Sequence, residues 1–169
     1  SASLSATGGD ASYTFTSSGG TVTGSSLSAP AGTYTITATD GNSCTGTTTV
    51  TITEPAAVAV SATPSPAACN GENGTAALSA TGGDASYTFT STGGTVTGSS
   101  LPAPAGTHTI TATDGNSCTG TTTVTITEPA AVAVSATPSP AACNGENGTA
   151  ALSATGGDAS YNFTSSGGT

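Results

Sequence analysis

Threonine alternates with small or apolar residues along most of the chain. Tyr87 and Phe89 stand between Ser86, Thr88 and Thr90, and Val124 and Ile126 between Thr123, Thr125 and Thr127. His108, Ile110 and Ala112 are spaced in the same way by Thr107, Thr109, Thr111 and Thr113. A period of two with β-branched residues at the outer positions predicts half-buried antiparallel strands. No stretch carries a 3.6-residue apolar period long enough for a helix. Turn-forming residues separate the runs: Asn-Gly at 70–71 and 73–74, Gly-Gly-Asp at 82–84, Gly-Gly at 93–94, Pro-Ala-Pro-Ala-Gly at 102–106 and Asp-Gly-Asn at 114–116. The pattern predicts strands over 57–63, 75–81, 86–91, 95–99, 107–113 and 120–127, with a short seventh near Ser100–Leu101. Short strands at this spacing predict a β-sandwich.

The pattern also repeats at long range. Ser-Ala-Thr-Gly-Gly-Asp-Ala-Ser-Tyr begins at Ser5, Ser79 and Ser153, a period of 74 residues. Residues 1–74 and 75–148 differ at five places, positions 1, 3, 18, 28 and 34 of the first copy. The expected architecture is therefore all-β, a tandem array of immunoglobulin-like antiparallel β-sandwich repeats. Glu54-Pro55 and Glu128-Pro129 end one strand just before the next Val-Ala-Val run, and proline interrupts the ladder there. These pairs mark the expected joints. Residues 1–54 form the C-terminal part of one repeat, 55–128 a complete repeat and 129–169 the N-terminal part of another. Both chain ends fall inside a unit, so the chain is expected to be a window from a longer array.

Charge removes several functions. The sequence has no Lys or Arg, and its nine acidic residues give a net charge of −9. Such a chain cannot neutralise phosphates, which excludes nucleic acid as a partner, and an anionic lipid surface repels it. Lysine-dependent chemistry is excluded with it. His108 is the only histidine, and Tyr34 holds its place in the first copy. It is expected to be a core or rim ring, and the chain is not expected to be an enzyme.

The core is expected to be thin. Its large apolar side chains in one repeat are Val58, Val60, Leu78, Tyr87, Phe89, Val96, Leu101, Ile110, Val124 and Ile126. Each period adds two cysteines without CxxC spacing, which disfavours zinc and points to a disulfide in an oxidising compartment. Cys69–Cys118 is the preferred pair, and a loop of that length would stabilise by about 4 kcal/mol. It requires an even number of strands between the two cysteines, and a true strand near Leu101 would place them at opposite ends. The alternative joins Cys44 to Cys69 and Cys118 to Cys143 across the Glu-Pro joints. With Cys69 and Cys118 joined, Asn70, Glu72, Asp114 and Asn116 would cluster as candidate calcium ligands; the competing reading makes them plain hairpin turns. No other cofactor is expected.

Cys69-Asn-Gly-Glu-Asn-Gly, Thr81-Gly-Gly-Asp-Ala-Ser-Tyr87, Ala105-Gly-Thr-His-Thr-Ile110, Asp114-Gly-Asn-Ser-Cys118 and Ile126-Thr-Glu-Pro129 together resemble the SprB repeat of surface adhesins in gliding Bacteroidota. The chain departs from that pattern where the family has Trp, near Thr90 or Ser91, and at His108 in place of Tyr. The resemblance implies an extracellular, cell-surface filament exported by the type IX system and used in adhesion or gliding. The expected role is a structural stalk whose partners are neighbouring repeats of the same chain and other copies in a filament, with no insertion into the membrane. The alternative is a module that binds an external surface or glycan by avidity over many copies.

Overall fold

The structure, a computed structural model, describes residues 1–166; the last three residues of the expected 129–169 segment lie outside the described residues. Every regular element among the described residues is a β-strand. The chain divides into two compact units, Ser1–Ala56 and Ala57–Thr169.

The first unit holds β1 (Ala2–Ser3), β2 (Tyr13–Ser17), β3 (Thr21–Thr23), β4 (Ser26–Ser28), β5 (Gly32–Asp40) and β6 (Thr45–Ile52). They form two three-stranded sheets, in the orders β1-β4-β3 and β2-β5-β6. Leu27 and Ile36 are its buried large side chains.

The second unit contains the complete repeat: β7 (Ala59–Ser65), β8 (Gly74–Thr81), β9 (Tyr87–Ser91), β10 (Ser100–Ala103), β11 (Gly106–Asp114) and β12 (Thr119–Ile126). Its sheets run β10-β8-β7 and β12-β11-β9, antiparallel throughout. The same unit continues into a hairpin of β13 (Ala133–Ser139) and β14 (Thr149–Thr155). Alternation turns one face of each strand inward, as the threonine spacing requires. Ile110 is fully buried on β11 while its neighbour Thr109 is exposed. On the outer face the Thr107 and Thr125 hydroxyls are hydrogen-bonded across the ladder at 3.0 Å.

The core of the complete repeat is Ala76, Leu78, Leu101, Ala103, Ile110, Val124 and Ile126, with Val60, Phe89 and Val96 packed at its rim. Two of these core members are alanines that the list of large side chains omits, so the sheets approach closely at those points. β7 closes one side of the sandwich by lying against β12. A Cβ on Gly120 would run into the Val58 carbonyl, so only glycine permits that approach.

Two strand expectations change. Ser100–Leu101 belongs to a genuine strand, β10, hydrogen-bonded to β8. The segment 95–99 carries only an isolated bridge, Thr97 to Ser100, although its counterpart in the first unit is the strand β3. The register explains the difference. Thr21 faces Ser28 in the first unit, and Pro102 replaces that serine in the complete repeat. Proline brings no N–H to the ladder, so the pairing shrinks to its far end.

Ile110→Ala should destabilise the complete repeat by about 2–5 kcal/mol in urea unfolding, because the side chain is fully buried. Thr121→Ala, on the exposed face of β12, should change stability by less than about 1 kcal/mol.

Candidate functional site

The polar motif residues collect at the two ends of the complete repeat. At one end, the turn after β8 meets the turn between β11 and β12. Asp84 Oδ1 accepts the Ser86 N–H at 2.9 Å and reaches across to the Gly115 N–H at 3.1 Å. Asp114, buried, returns the contact: its Oδ2 accepts the Asp84 N–H at 3.2 Å. Its Oδ1 accepts from the Asn116 and Cys118 N–H groups at 3.0 and 2.8 Å. A Cβ on Gly83 would strike the Asp114 carboxylate, and one on Gly115 the Asp84 carboxylate. Each aspartate thus occupies the space that the other turn's glycine leaves free. The carboxylates also bridge Ala85 and Ser117, which stand at φ of 65° and 66°, and so hold two non-glycine residues in the left-handed region.

Tyr87 belongs to the same end. Its hydroxyl donates to the Gly82 carbonyl five residues back, and Tyr13 and Tyr161 make the same bond to Gly8 and Gly156. The spacing in Gly-Gly-x-x-x-Tyr is thereby explained: the glycine pair reverses the chain, and the tyrosine ties the reversed chain back to its start.

At the other end, the turn between β7 and β8 meets the strand that leaves the repeat. The Gly71 N–H donates to Glu128 Oε2 at 2.6 Å, and Asn70 Nδ2 donates to the Pro129 carbonyl at 3.1 Å. Ala67 N–H donates to the Thr127 carbonyl at 2.9 Å. The Cys69-Asn-Gly turn therefore grips Glu128-Pro129, about 60 residues away in sequence and the start of the link to β13. On the far side of that link, Gly157 N–H donates to the Ala130 carbonyl at 2.8 Å.

Comparison with protein families gives a match to the SprB repeat over residues 61–96 and again over 135–169. Two segments of the chain are similar to the SprB repeat. In the complete repeat the match runs from within β7 to just past β9, and so takes in the Cys69-Asn-Gly turn and the Gly-Gly-x-x-x-Tyr reversal. No curated protein and no solved structure matches the chain. SprB repeats occur in cell-surface proteins.

The complete repeat places the cysteines and the candidate calcium ligands at both of its ends. All four cysteines are free and exposed. Cys69 lies in the turn beside Glu128-Pro129, whereas Cys118 follows the turn that Asp84 and Asp114 hold at the opposite end. The preferred Cys69–Cys118 pairing would therefore join opposite ends of the repeat, and both cysteines are free in this structure. Between them the chain crosses the repeat five times, along β8, β9, the 95–99 passage that turns back at the Thr97–Ser100 bridge, β10 and β11. Cys118 and Cys143 are no nearer, since Cys143 lies in the β13–β14 turn, at the end of that hairpin away from Pro129. The same separation divides the calcium candidates: Asn70 and Glu72 sit at one end, Asp114 and Asn116 at the other. Asp114 and Asn116 are engaged in their own turn, and the Glu72 N–H closes its turn onto the Cys69 carbonyl at 3.3 Å. Among the described residues, no three His, Cys, Asp or Glu side chains come together.

His108 is a buried ring whose Nε2 lies 2.9 Å from the Pro104 carbonyl. A carbonyl only accepts, so Nε2 carries the proton. In the first unit the Tyr34 hydroxyl donates to the Pro30 carbonyl at the same distance, 2.9 Å. The two side chains differ in chemistry and do one job: each spans the Pro-Ala-Gly turn with a ring and closes it with a donor. The alternation with threonine predicts the ring at 108 but not this bond or the ones made by Tyr87 and Glu128. Their signal was the fixed spacing to a turn residue in every copy.

His108→Tyr should leave stability within about 0.5 kcal/mol, whereas His108→Phe should lose about 1 kcal/mol or more because the Pro104 carbonyl loses its donor. Thermal melts of the two variants decide it. In the first unit, the Ser12 N–H and then the Gly41 N–H hold the Asp10 carboxyl below its ordinary value of 3.8. The depressed value means that the charged form stabilises the fold at neutral pH and that this contribution is lost as pH falls through the folded-state value. The melting advantage of the wild type over Asp10→Asn should therefore disappear in acid, and an advantage that persists below that range would contradict the assignment.

Proposed function

We propose that these SprB repeats are structural segments of a stalk in a secreted bacterial surface adhesin, holding a distal region away from the cell during adhesion or gliding. The observation that supports this reading most is where the motif side chains are used. Asp84, Tyr87, His108, Asp114 and Glu128 all bond to turns or to the link of their own repeat. A motif whose polar groups are committed to turns and joints serves the shape of the unit. The Glu128–Gly71 and Asn70–Pro129 bonds further favour a link held against the preceding repeat, as a load-bearing series requires. We take the unit as immunoglobulin-like on its strand order. The β10-β8-β7 and β12-β11-β9 sheets, with the β3-like segment beyond β10, follow the ABED and GFC orders of constant-type sandwiches. We assign no catalytic role and no resident metal, and we place the chain outside the cell, exported by the type IX route that goes with this family.

The glycan-binding alternative draws on one feature, the threonine rows of β11 and β12, paired Thr107–Thr125, Thr109–Thr123 and Thr111–Thr121, all exposed but the half-buried Thr111. These rows offer hydroxyls but no aromatic platform.

Electron microscopy of chains with increasing repeat number separates the readings. The stalk requires rods that lengthen by about 30–40 Å per repeat, from strands of about seven residues at 3.3 Å each plus loops. Compact particles that do not lengthen would overturn it, and a glycan array binding tandem repeats but not single ones would move the function to the alternative.

A further inference from the structure

The turn that grips the link carries a chemically labile pair. Asn70 is followed by Gly71, and both residues are exposed. An asparagine carboxamide is open to attack by the backbone nitrogen of the next residue, and glycine, lacking a Cβ, leaves that nitrogen uncovered. The N–Cγ bond that forms closes a succinimide ring while the Cγ–Nδ2 bond breaks, and ammonia leaves with the proton of the attacking nitrogen. Water then opens the ring to aspartate, or to isoaspartate, in which the main chain runs through the side-chain carbonyl. One water is consumed and one ammonia released, and no other reactant is needed.

Both reacting groups of this pair are held. The Gly71 N–H donates to Glu128 Oε2 at 2.6 Å, and the nitrogen cannot attack while it keeps that proton. The carboxylate also opposes the negative charge that loss of the proton would create beside it. Asn70 Nδ2 donates to the Pro129 carbonyl at 3.1 Å, which fixes the carboxamide toward the link. Nothing lies within 4 Å of a Cβ built on Gly71, so these two bonds, and not burial, shield the pair. Asn73-Gly74, the second such pair of the turn, is sheltered in another way. Gly74 is buried at the start of β8, where Ile126, the Ser65 carbonyl and the Ala67 nitrogen stand 2.5–2.9 Å from a Cβ built there.

We infer that Asn70 is a self-modification site gated by the link: it deamidates when the Glu128-Pro129 grip opens, and the product keeps the grip from closing again. Aspartate at 70 has no N–H to give the Pro129 carbonyl and sets a second carboxylate beside Glu128. Isoaspartate lengthens the main chain by one carbon and moves the Gly71 N–H from its place opposite Oε2. A local opening of the link is thereby converted into a permanent change. This goes beyond the stalk reading, which gives the link no chemistry.

Residues 143–148 are identical to 69–74, so the test is run on the full chain carrying Asn144→Gln and Asn147→Gln. Cleavage after Glu72 then puts Asn70 and Asn73 into separate peptides, and mass spectrometry of the chain aged folded at neutral pH follows the conversion of each amide to acid. Asn70 should convert roughly 10- to 100-fold more slowly than in a free peptide of residues 66–74, the factor that a hydrogen bond to a charged group supplies. Glu128 lies on the surface, and Glu128→Ala should raise the Asn70 rate by that factor while leaving Asn73 unchanged. Conversion of Asn70 at the peptide rate in the parent chain, no acceleration in Glu128→Ala, or equal acceleration at Asn70 and Asn73 would overturn the inference, the last because it marks general unfolding. Asn70→Asp makes one product directly, and its Gly71 amide should exchange hydrogen as fast as that of Glu128→Ala. A Gly71 amide that stays protected in Asn70→Asp would refute the one-way step.

Discussion

The backbone at Val58, just before β7, lies on the backbone of β12 at Gly120, where no side chain larger than hydrogen fits. The rest of the repeat depends on that approach. A unit with so few large side chains cannot hold two sheets apart at the usual ~10 Å everywhere and still exclude water. Alanine at positions 76 and 103 and glycine at 120 bring the sheets together, and Leu78, Leu101, Ile110, Val124 and Ile126 fill what remains. The first strand of the repeat is therefore the element that completes the core, more than an ornament on its edge.

The polar chemistry follows from a second constraint, the absence of any lysine or arginine. Carboxylates in this chain have no basic side chain other than His108 to pair with. Asp10, Asp84, Asp114 and Glu128 are satisfied by backbone N–H groups instead. These are charge-assisted bonds, stronger than those between neutral groups, and they act on the turns directly. At one end they lock Asp84 and Asp114 into each other's glycine turns. At the other they fasten the Cys69-Asn-Gly turn to Glu128-Pro129. The motif pieces that look scattered along the sequence are partners in space: reversal with hairpin turn, and entry turn with exit strand.

Much of this was legible in the residues, and what was not has identifiable causes. The period of two gave the strands because every inward residue is flanked by threonine, and glycine with asparagine or aspartate marked the turns. The alanines at 76 and 103 were invisible as core, since alanine is also a common surface residue and only the register shows which way it faces. Strand parity was the larger obstacle. Ser100–Ala103 is short and contains Pro102, which argues against a central strand but suits the edge that β10 occupies. Counting that strand together with the 95–99 passage before it puts Cys118 at the end opposite Cys69 and divides Asn70 and Glu72 from Asp114 and Asn116. The side-chain bonds of Tyr87, His108 and Glu128 cannot be read from periodicity at all, because they join a ring or carboxylate to a backbone group whose position depends on the turn. Their fixed spacing in every copy was the one trace they left.

The account rests on motif residues being spent on the repeat's own turns and link, and the Glu128–Gly71 bond is its most exposed instance. Native-state hydrogen exchange at the Gly71 amide measures it directly. Gly71 sits in an exposed turn and no strand ladder shelters it, so protection there can come only from a bond that persists in solution. The account requires the Gly71 amide to exchange far more slowly than in an unfolded chain, and Glu128→Ala to abolish that protection. Exchange at the unfolded-chain rate in the wild type would mean that the link swings free of the repeat, and would contradict the structural role given to the motif.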